Sequence, residues 1–292
     1  MKYAKNILIF LAYRSELQNK LLYNTLVQAK GGVGMRIFVI QLRTLISLLL
    51  IVIVAGGLIM YLGDFSNGIL AVMIKDRQLP IYCVETDEKK VAISFDAAWG
   101  DQYTENILNT LDQYNVKSTF FLVGFWVDKY PDMVKKIKER GHDVGNHSST
   151  HPHMSKLSEE QISQELNNTG NKIKDITGEI PFLFRPPFGD YNNRLIETAT
   201  KNGYYTIQWD VDSLDWKELG TQPVVDRVTR NVKKGSVVLF HNNAKYVSEY
   251  LPLVIERLQK DGYKIVPISE LIIRENYIID HTGMQKNKNR NE

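Results

Sequence analysis

From residue 88 onward the chain alternates short apolar runs with longer stretches whose apolar residues fall on one helical face. The runs are VAISFD (91–96), STFFLVG (118–124), HDVGNH (142–147), FLFRPP (182–187), YYTIQWD (204–210), SVVLFH (236–241) and KIVPI (264–268). Between them, Ile107, Leu108, Leu111 and Tyr114 have one-face spacing. Met133, Val134 and Ile137 repeat it after Pro131, which suits a first helical turn. Ser158 and Gln161 match a capping box opening a helix that reaches about Ile176. Gly141, Gly178, Gly203 and Gly262 stand where helices should stop. Strands alternating with helices of this length give βαβ units and a parallel sheet, and seven strands suit a closed or nearly closed barrel. The rival is an open doubly wound sheet. Its dinucleotide-binding form is weak here, because no GxGxxG opens the first turn.

The pattern upstream is different. Residues 44–62, TLISLLLIVIVAGGLIMYL, carry no charge over a length close to that of a membrane-crossing helix. Arg36 and Arg43 precede this run and Asp64 follows it, so the positive-inside rule expects an uncleaved single-pass anchor with the N-terminus cytoplasmic and everything after it outside. A cleaved signal peptide is the rival, but its apolar region would be shorter and would end at a small-residue cleavage site. Met35 opens a compact signal-anchor pattern after KGGVGM, so residues 1–34 read as a translated leader or a cytoplasmic extension and 35–43 as a basic cytoplasmic flank. Residues 63–87 then form a linker, 88–276 the catalytic-type domain, and 277–292 a polar, disordered tail.

Charge sharpens this division. The overall +3 conceals +6 in residues 1–43 and +2 in 281–292, leaving −5 for 44–280. A mildly acidic domain excludes a nucleic-acid surface, which needs clustered Lys and Arg. The single cysteine, Cys83, permits neither a disulfide framework nor a cysteine zinc site within one chain.

Polar residues fall at the ends of the apolar runs. Asp96, His147, Arg185, Asp210 and His241 each close one, and in a parallel α/β barrel that face carries the active site. His147 and His151, four apart in NHSSTHPHM, can share a metal on one helical turn or a tight loop. His153 is a third nearby candidate, and His142 has a structural reading. In FRPPFGDYN two prolines lack N–H donors, so Phe188 supplies the first free donor on a stiff turn where an oxyanion could bind. An acid of QWDVDSLDW can orient a histidine, and His241 in VVLFHN suits a carboxylate-oriented general acid.

Together these segments resemble the five motifs of the polysaccharide deacetylase family (NodB homology, carbohydrate esterase family 4). SFDAAWGD is similar to the first motif, HSSTH to the second, RPPFG to the third, DSLDW to the fourth and LFHN to the fifth. The anchor, SFDAAWG and the closing ISELI resemble the sporulation-associated branch of spore-forming bacteria. The resemblance implies a distorted (β/α)7 barrel preceded by one transmembrane helix. It implies a divalent metal, zinc or cobalt among others, and N-deacetylation of an N-acetylglucosamine polymer: peptidoglycan or a chitooligosaccharide-like glycan. It makes Asp96 the base, His147 and His151 metal ligands, Arg185 the holder of the base and Phe188 the oxyanion donor. It makes Asp215 the acid that orients His241, Trp216 the groove wall, Leu239 part of the acetyl pocket and His241 the general acid.

One departure stands out. The first motif has two adjacent aspartates, base then metal ligand, and here the second position is Ala97. Asp101 is the replacement ligand that the sequence offers, its alternative role being an acid that meets a helix dipole. Two function classes follow: a peptidoglycan-type deacetylase at the cell or spore envelope, and a deacetylase-like protein that binds glycan with little or no turnover.

Overall fold

The computed structural model describes residues 46–47, 49–60 and 77–290. The leader and basic flank lie outside the described residues, and so do 44, 45, 48, 61 and 62 of the expected anchor. No helix among the described residues is long and apolar enough to cross a membrane. The chain divides into two compact units, Met1–Ala71 and Val72–Glu292, and the second carries all that follows.

Its strands are β1 (Cys83–Val84), β2 (Lys90–Ala97), β3 (Thr119–Leu122), β4 (Asp143–Asn146), β5 (Leu183–Phe184), β6 (Tyr205–Thr206), β7 (Val211–Asp212), β8 (Val237–His241), β9 (Lys264–Ile265), β10 (Tyr277–Ile279) and β11 (Met284–Asn287). The main sheet is parallel throughout, in the order β6-β5-β4-β3-β2-β8-β7, with β9 paired to the start of β2. Its two edges, β6 and β7, are pieces of one chain segment separated only by residues 207–210. Edges joined that closely require the sheet to curl towards a barrel. All seven apolar runs supply its strands, and β7 follows directly after the fifth.

Helices α1 (Thr104–Gln113), α2 (Gly124–Lys129), α3 (Pro131–Glu139), α4 (Glu159–Thr177), α5 (Asn193–Lys201), α6 (Thr221–Asn231), α7 (Val247–Lys260) and α8 (Ile268–Leu271) flank the sheet. The capping box at Ser158 and Gln161 is present in full at the start of α4, and Gly178 ends it at φ 82°. Strand alternation sorts the core. Val91, Ile93, Phe95 and Ala97 pack outward with Leu108, Val134 and Val254 of the helices, while Ala92 joins the interior set with Phe121 and Val237.

Two boundaries differ from expectation. The linker reaches into the domain: Ile81 and Val84 are buried, and Ile81 bridges Ile207. The tail is ordered, because β11 pairs β1 in parallel and β10 antiparallel. Its polar side chains make the turn. Asp280 accepts from Thr282 Oγ1 (2.6 Å) and the Met284 amide (3.1 Å), and buried Gln285 exchanges hydrogen bonds of 2.8 and 2.7 Å with the Ile273 backbone.

Candidate active site

The carboxyl end of the sheet opens into a cavity of about 380 Å³, of a size suited to a small ligand. Asp96, His147 and His241 line it from three strand ends, with His151, Phe188 and Trp216 from the loops. Leu239 lines it too, as do Trp209, Asp212 and Asn243, which sequence reasoning did not single out.

Asp96 faces the interior because β2 alternates, and Arg185 meets it there. Arg185 Nη1 donates to Asp96 Oδ1 at 2.7 Å; both residues are buried, the arginine completely. Arg185 Nη2 donates to Ser94 Oγ (2.9 Å) and the Gln208 carbonyl (3.2 Å), and Ser94 Oγ donates to the Val238 carbonyl (2.8 Å). The guanidinium covers the Phe121 ring at 4.1 Å. A Cβ at Gly145 would come within 2.6 Å of that ring, so a glycine is needed for the ring to lie there. Burial pushes the Asp96 carboxyl up, but the charge and hydrogen bond of Arg185, with the nearby His241, outweigh it and hold the group below its ordinary range, ionised.

On the opposite wall His241 Nδ1 lies 2.7 Å from Asp215 Oδ1, and its amide donates to Asp215 Oδ2 at 2.8 Å. Tyr250, buried on α7, donates to the same Oδ2 at 2.7 Å. Asp215 therefore accepts three hydrogen bonds and orients the imidazole so that Nε2 serves the cavity. Burial pulls the His241 pKa down, and the bond and charge of Asp215 raise it above the ordinary value, favouring imidazolium.

The histidine pair sits on a tight loop rather than a helix. Ser148 and His151 take left-handed φ values of 67° and 58°, uncommon for side-chain-bearing residues. Glu165 of α4 holds this loop, accepting from the Ser149 and Thr150 amides at 2.7 and 2.8 Å. His147 Nδ1 lies 2.7 Å from the Arg185 carbonyl, which can only accept, so the proton is on Nδ1 and Nε2 keeps its lone pair. That lone pair faces Asp96 Oδ2 at 3.5 Å. Burial lowers the pKa of both histidines, that of His151 to about 4, so both rings are neutral.

Neutral imidazoles suit a metal, but two are not a centre. No group of three or more His, Cys, Asp or Glu that could hold a metal occurs among the described residues. Asp101 is not among the residues lining the cavity; it precedes α1, where its carbonyl accepts from the Thr104 amide at 2.8 Å. Ala97 is wholly buried on the helix side of β2, and Ala98 lines the cavity. The residues present do not fit a bound metal, although deacetylases of this type are generally metal-dependent. The other expectations divide. Asp210 is turned away from the rim: its carboxylate accepts from Ser236 Oγ and the Val237 amide, both at 2.9 Å, at the start of β8. His153 pairs with Asp190 at 3.2 Å, and buried His142 accepts from the Ser118 amide. Phe188, at φ 61°, sits in a turn closed by bonds from Gly189 and Asp190 to the proline carbonyls. Ser94 and Tyr250 were invisible as site residues, because each looks like an ordinary position of a strand or a core helix.

Residues 84–207 match the polysaccharide deacetylase family. The chain is 36% identical over 194 residues to a peptidoglycan-N-acetylglucosamine deacetylase of Bacillus cereus, spanning 65% of this chain and 91% of that protein. An uncharacterised Bacillus subtilis protein is 35% identical over 193 residues, 66% of this chain and 60% of its own length. Among solved structures, a carbohydrate esterase family 4 pseudoenzyme from Bacillus anthracis superposes with a TM-score of 0.64 at 36% identity, covering 66% of this chain and 68% of that one. A mutant of the pseudoenzyme with restored enzymatic activity gives the same TM-score at 37% identity. The motif residues, their placement at one sheet end and these likenesses together establish that the chain belongs to the polysaccharide deacetylase family.

Proposed function

We propose that this protein hydrolyses N-acetyl groups from an N-acetylglucosamine-containing glycan, peptidoglycan being the substrate that its relatives' names favour. One observation carries the reading. A carboxylate clamped by Arg185 and an imidazole held by Asp215 line one cavity. That is the acid–base pair that amide hydrolysis requires. Water adds to the acetyl carbon as Asp96 takes its proton. The Phe188 N–H is the donor for the oxyanion. The C–N bond then breaks as His241 gives its Nε2 proton to the sugar nitrogen, releasing acetate and a free amine.

The same reading takes the curled sheet as the distorted seven-stranded barrel of this family. It takes residues 44–62, with their basic flank, as a single-pass anchor that sets the domain outside the cell membrane or at the spore envelope. A second reading, glycan binding with little turnover, is favoured by Ala97 and by the likeness to a pseudoenzyme. Acetate release from N-acetylated peptidoglycan and chitooligosaccharides separates the two, with Asp96→Asn as the blank. The deacetylase reading expects release well above the blank; release equal to it establishes the second.

A further inference from the structure

The stretch that departs from the family's first motif brings a tryptophan to the mouth of the cavity. Trp99 is 59% exposed, yet its loop is fixed on both sides. The Ala97 carbonyl accepts from the Val123 amide at 3.1 Å. The Gly100 carbonyl accepts from Trp126 Nε1 (2.7 Å) and Asn242 Nδ2 (2.8 Å), and Trp126 and Asn242 are both buried. A large ring held rigidly in water forgoes about 2 kcal/mol of burial, and exposed apolar surface at the edge of a cavity marks a binding site. Trp99 does not stand alone. Its ring is 6.3 Å from that of Phe125, also exposed, and 5.2 Å from that of His151, which meets Phe188 at 4.5 Å. The rings form one row running from the cavity outward to the start of α2.

We propose that Trp99 and Phe125 form a platform for a sugar ring next to the one whose acetyl group enters the cavity, so that the protein recognises a glycan chain rather than a single sugar. This rests on the deacetylase-family reading of the cavity. The occupant follows from continuity and chemistry. The row begins at the cavity that takes the acetylated sugar, and a polymer bound there must leave over its rim. Flat rings suit the apolar C–H faces of pyranoses, while the sugar hydroxyls stay in water.

The test is binding of N-acetylglucosamine and its oligomers, from the monomer to the hexamer, to the full-length chain in detergent. Calorimetry is done in an Asp96→Asn background to prevent turnover, with and without Trp99→Ala, Phe125→Ala or Trp99→Phe. Trp99→Ala is expected to weaken dimer to hexamer binding about tenfold, the scale of one lost aromatic contact. It leaves monomer binding and the thermal midpoint unchanged, and Trp99→Phe restores most of the loss. An equal loss at every length, or none, overturns the platform while leaving the glycan reading intact. If the Trp99 parent binds no oligomer of any length, the glycan reading itself fails and the platform with it.

Discussion

The two walls of the cavity are built to different standards. On the acid–base wall every reactive group has a buried partner: Asp96 has Arg185, Arg185 has Ser94, and His241 has Asp215, itself tied to Tyr250. On the histidine wall His147 and His151 meet edge to face, with ring centroids 5.0 Å apart and no third ligand beside them among the described residues. A buried hydrogen-bonded network fixes geometry and protonation state. A pair of neutral imidazoles leaves a lone pair unspent. The proton-transfer wall is complete, whereas the wall that would grip a metal offers only two imidazoles, with Ala98 and Trp99 lining the cavity beside them.

The largest effect expected is on chemistry. Asp96→Asn or Asp215→Asn should each lower acetate release by about 10²- to 10⁴-fold, the usual range for removing a general base or the group that orients a general acid. Release from N-acetylated chitooligosaccharides measures it, and a smaller loss would mean that the acid–base wall is not where the reaction runs. Next comes stability. Arg185→Ala leaves the Asp96 charge buried without its partner, so it should destabilise the fold by about 3–5 kcal/mol in urea unfolding. A mild effect there would show that the network is looser than its distances state.

The histidine wall should respond unevenly. His147→Ala strands the Arg185 carbonyl and opens a buried space, a loss of about 2–3 kcal/mol. His151→Asn keeps a residue that tolerates the left-handed backbone and removes only ring contacts, so it should lose less than about 1 kcal/mol. A chelator should leave the melting temperature within about 2 °C in both variants and in the parent. A larger drop in the parent alone would mean that a metal completes this wall after all.

How far the sequence foretold this depends on range. The period-two runs and the capping box act locally, so the seven strand segments and α4 were legible. Asp96, His147, Arg185 and His241 were legible because each closes an apolar run, whereas His151, Phe188, Asp215 and Trp216 were legible through the motif resemblance. What failed depends on distant partners. YYTIQWD looks like one strand ending on the rim, but only Tyr205 and Thr206 pair with β5, the next pairing, with β8, begins at Val211, and Asp210 between them turns towards Ser236. The tail looks too polar to fold, yet its order comes from hydrogen bonds to Ile273 and from pairing with β1. Tyr250 meets Asp215 across 35 residues, and no periodicity reports that contact. Ala97 was legible as a change of residue but not as a change of side. Its packing with Val91, Ile93 and Phe95 shows that it faces the helices, while Ala98, just past the strand, lines the cavity.

The finest contrast between the walls is protonic. His241 is raised above its ordinary value by Asp215, while His151 is lowered to about 4, chiefly by burial. Between pH 5 and the raised value of His241, one wall is therefore charged and the other neutral. Because the folded pKa of His241 lies above that of the unfolded chain, its contribution to stability is complete below about pH 6.5 and is lost as pH rises through the folded value. His151 has the opposite sign. Its unfolded form takes up a proton first, so stability falls as pH drops from about 6.5 towards 4. Asp215→Asn removes the charge that raises His241, so the His241 titration followed by imidazole NMR should move to lower pH, while that of His151 stays in place. Movement of both together would mean that the two walls form one coupled system, and the contrast drawn from their geometry would fall.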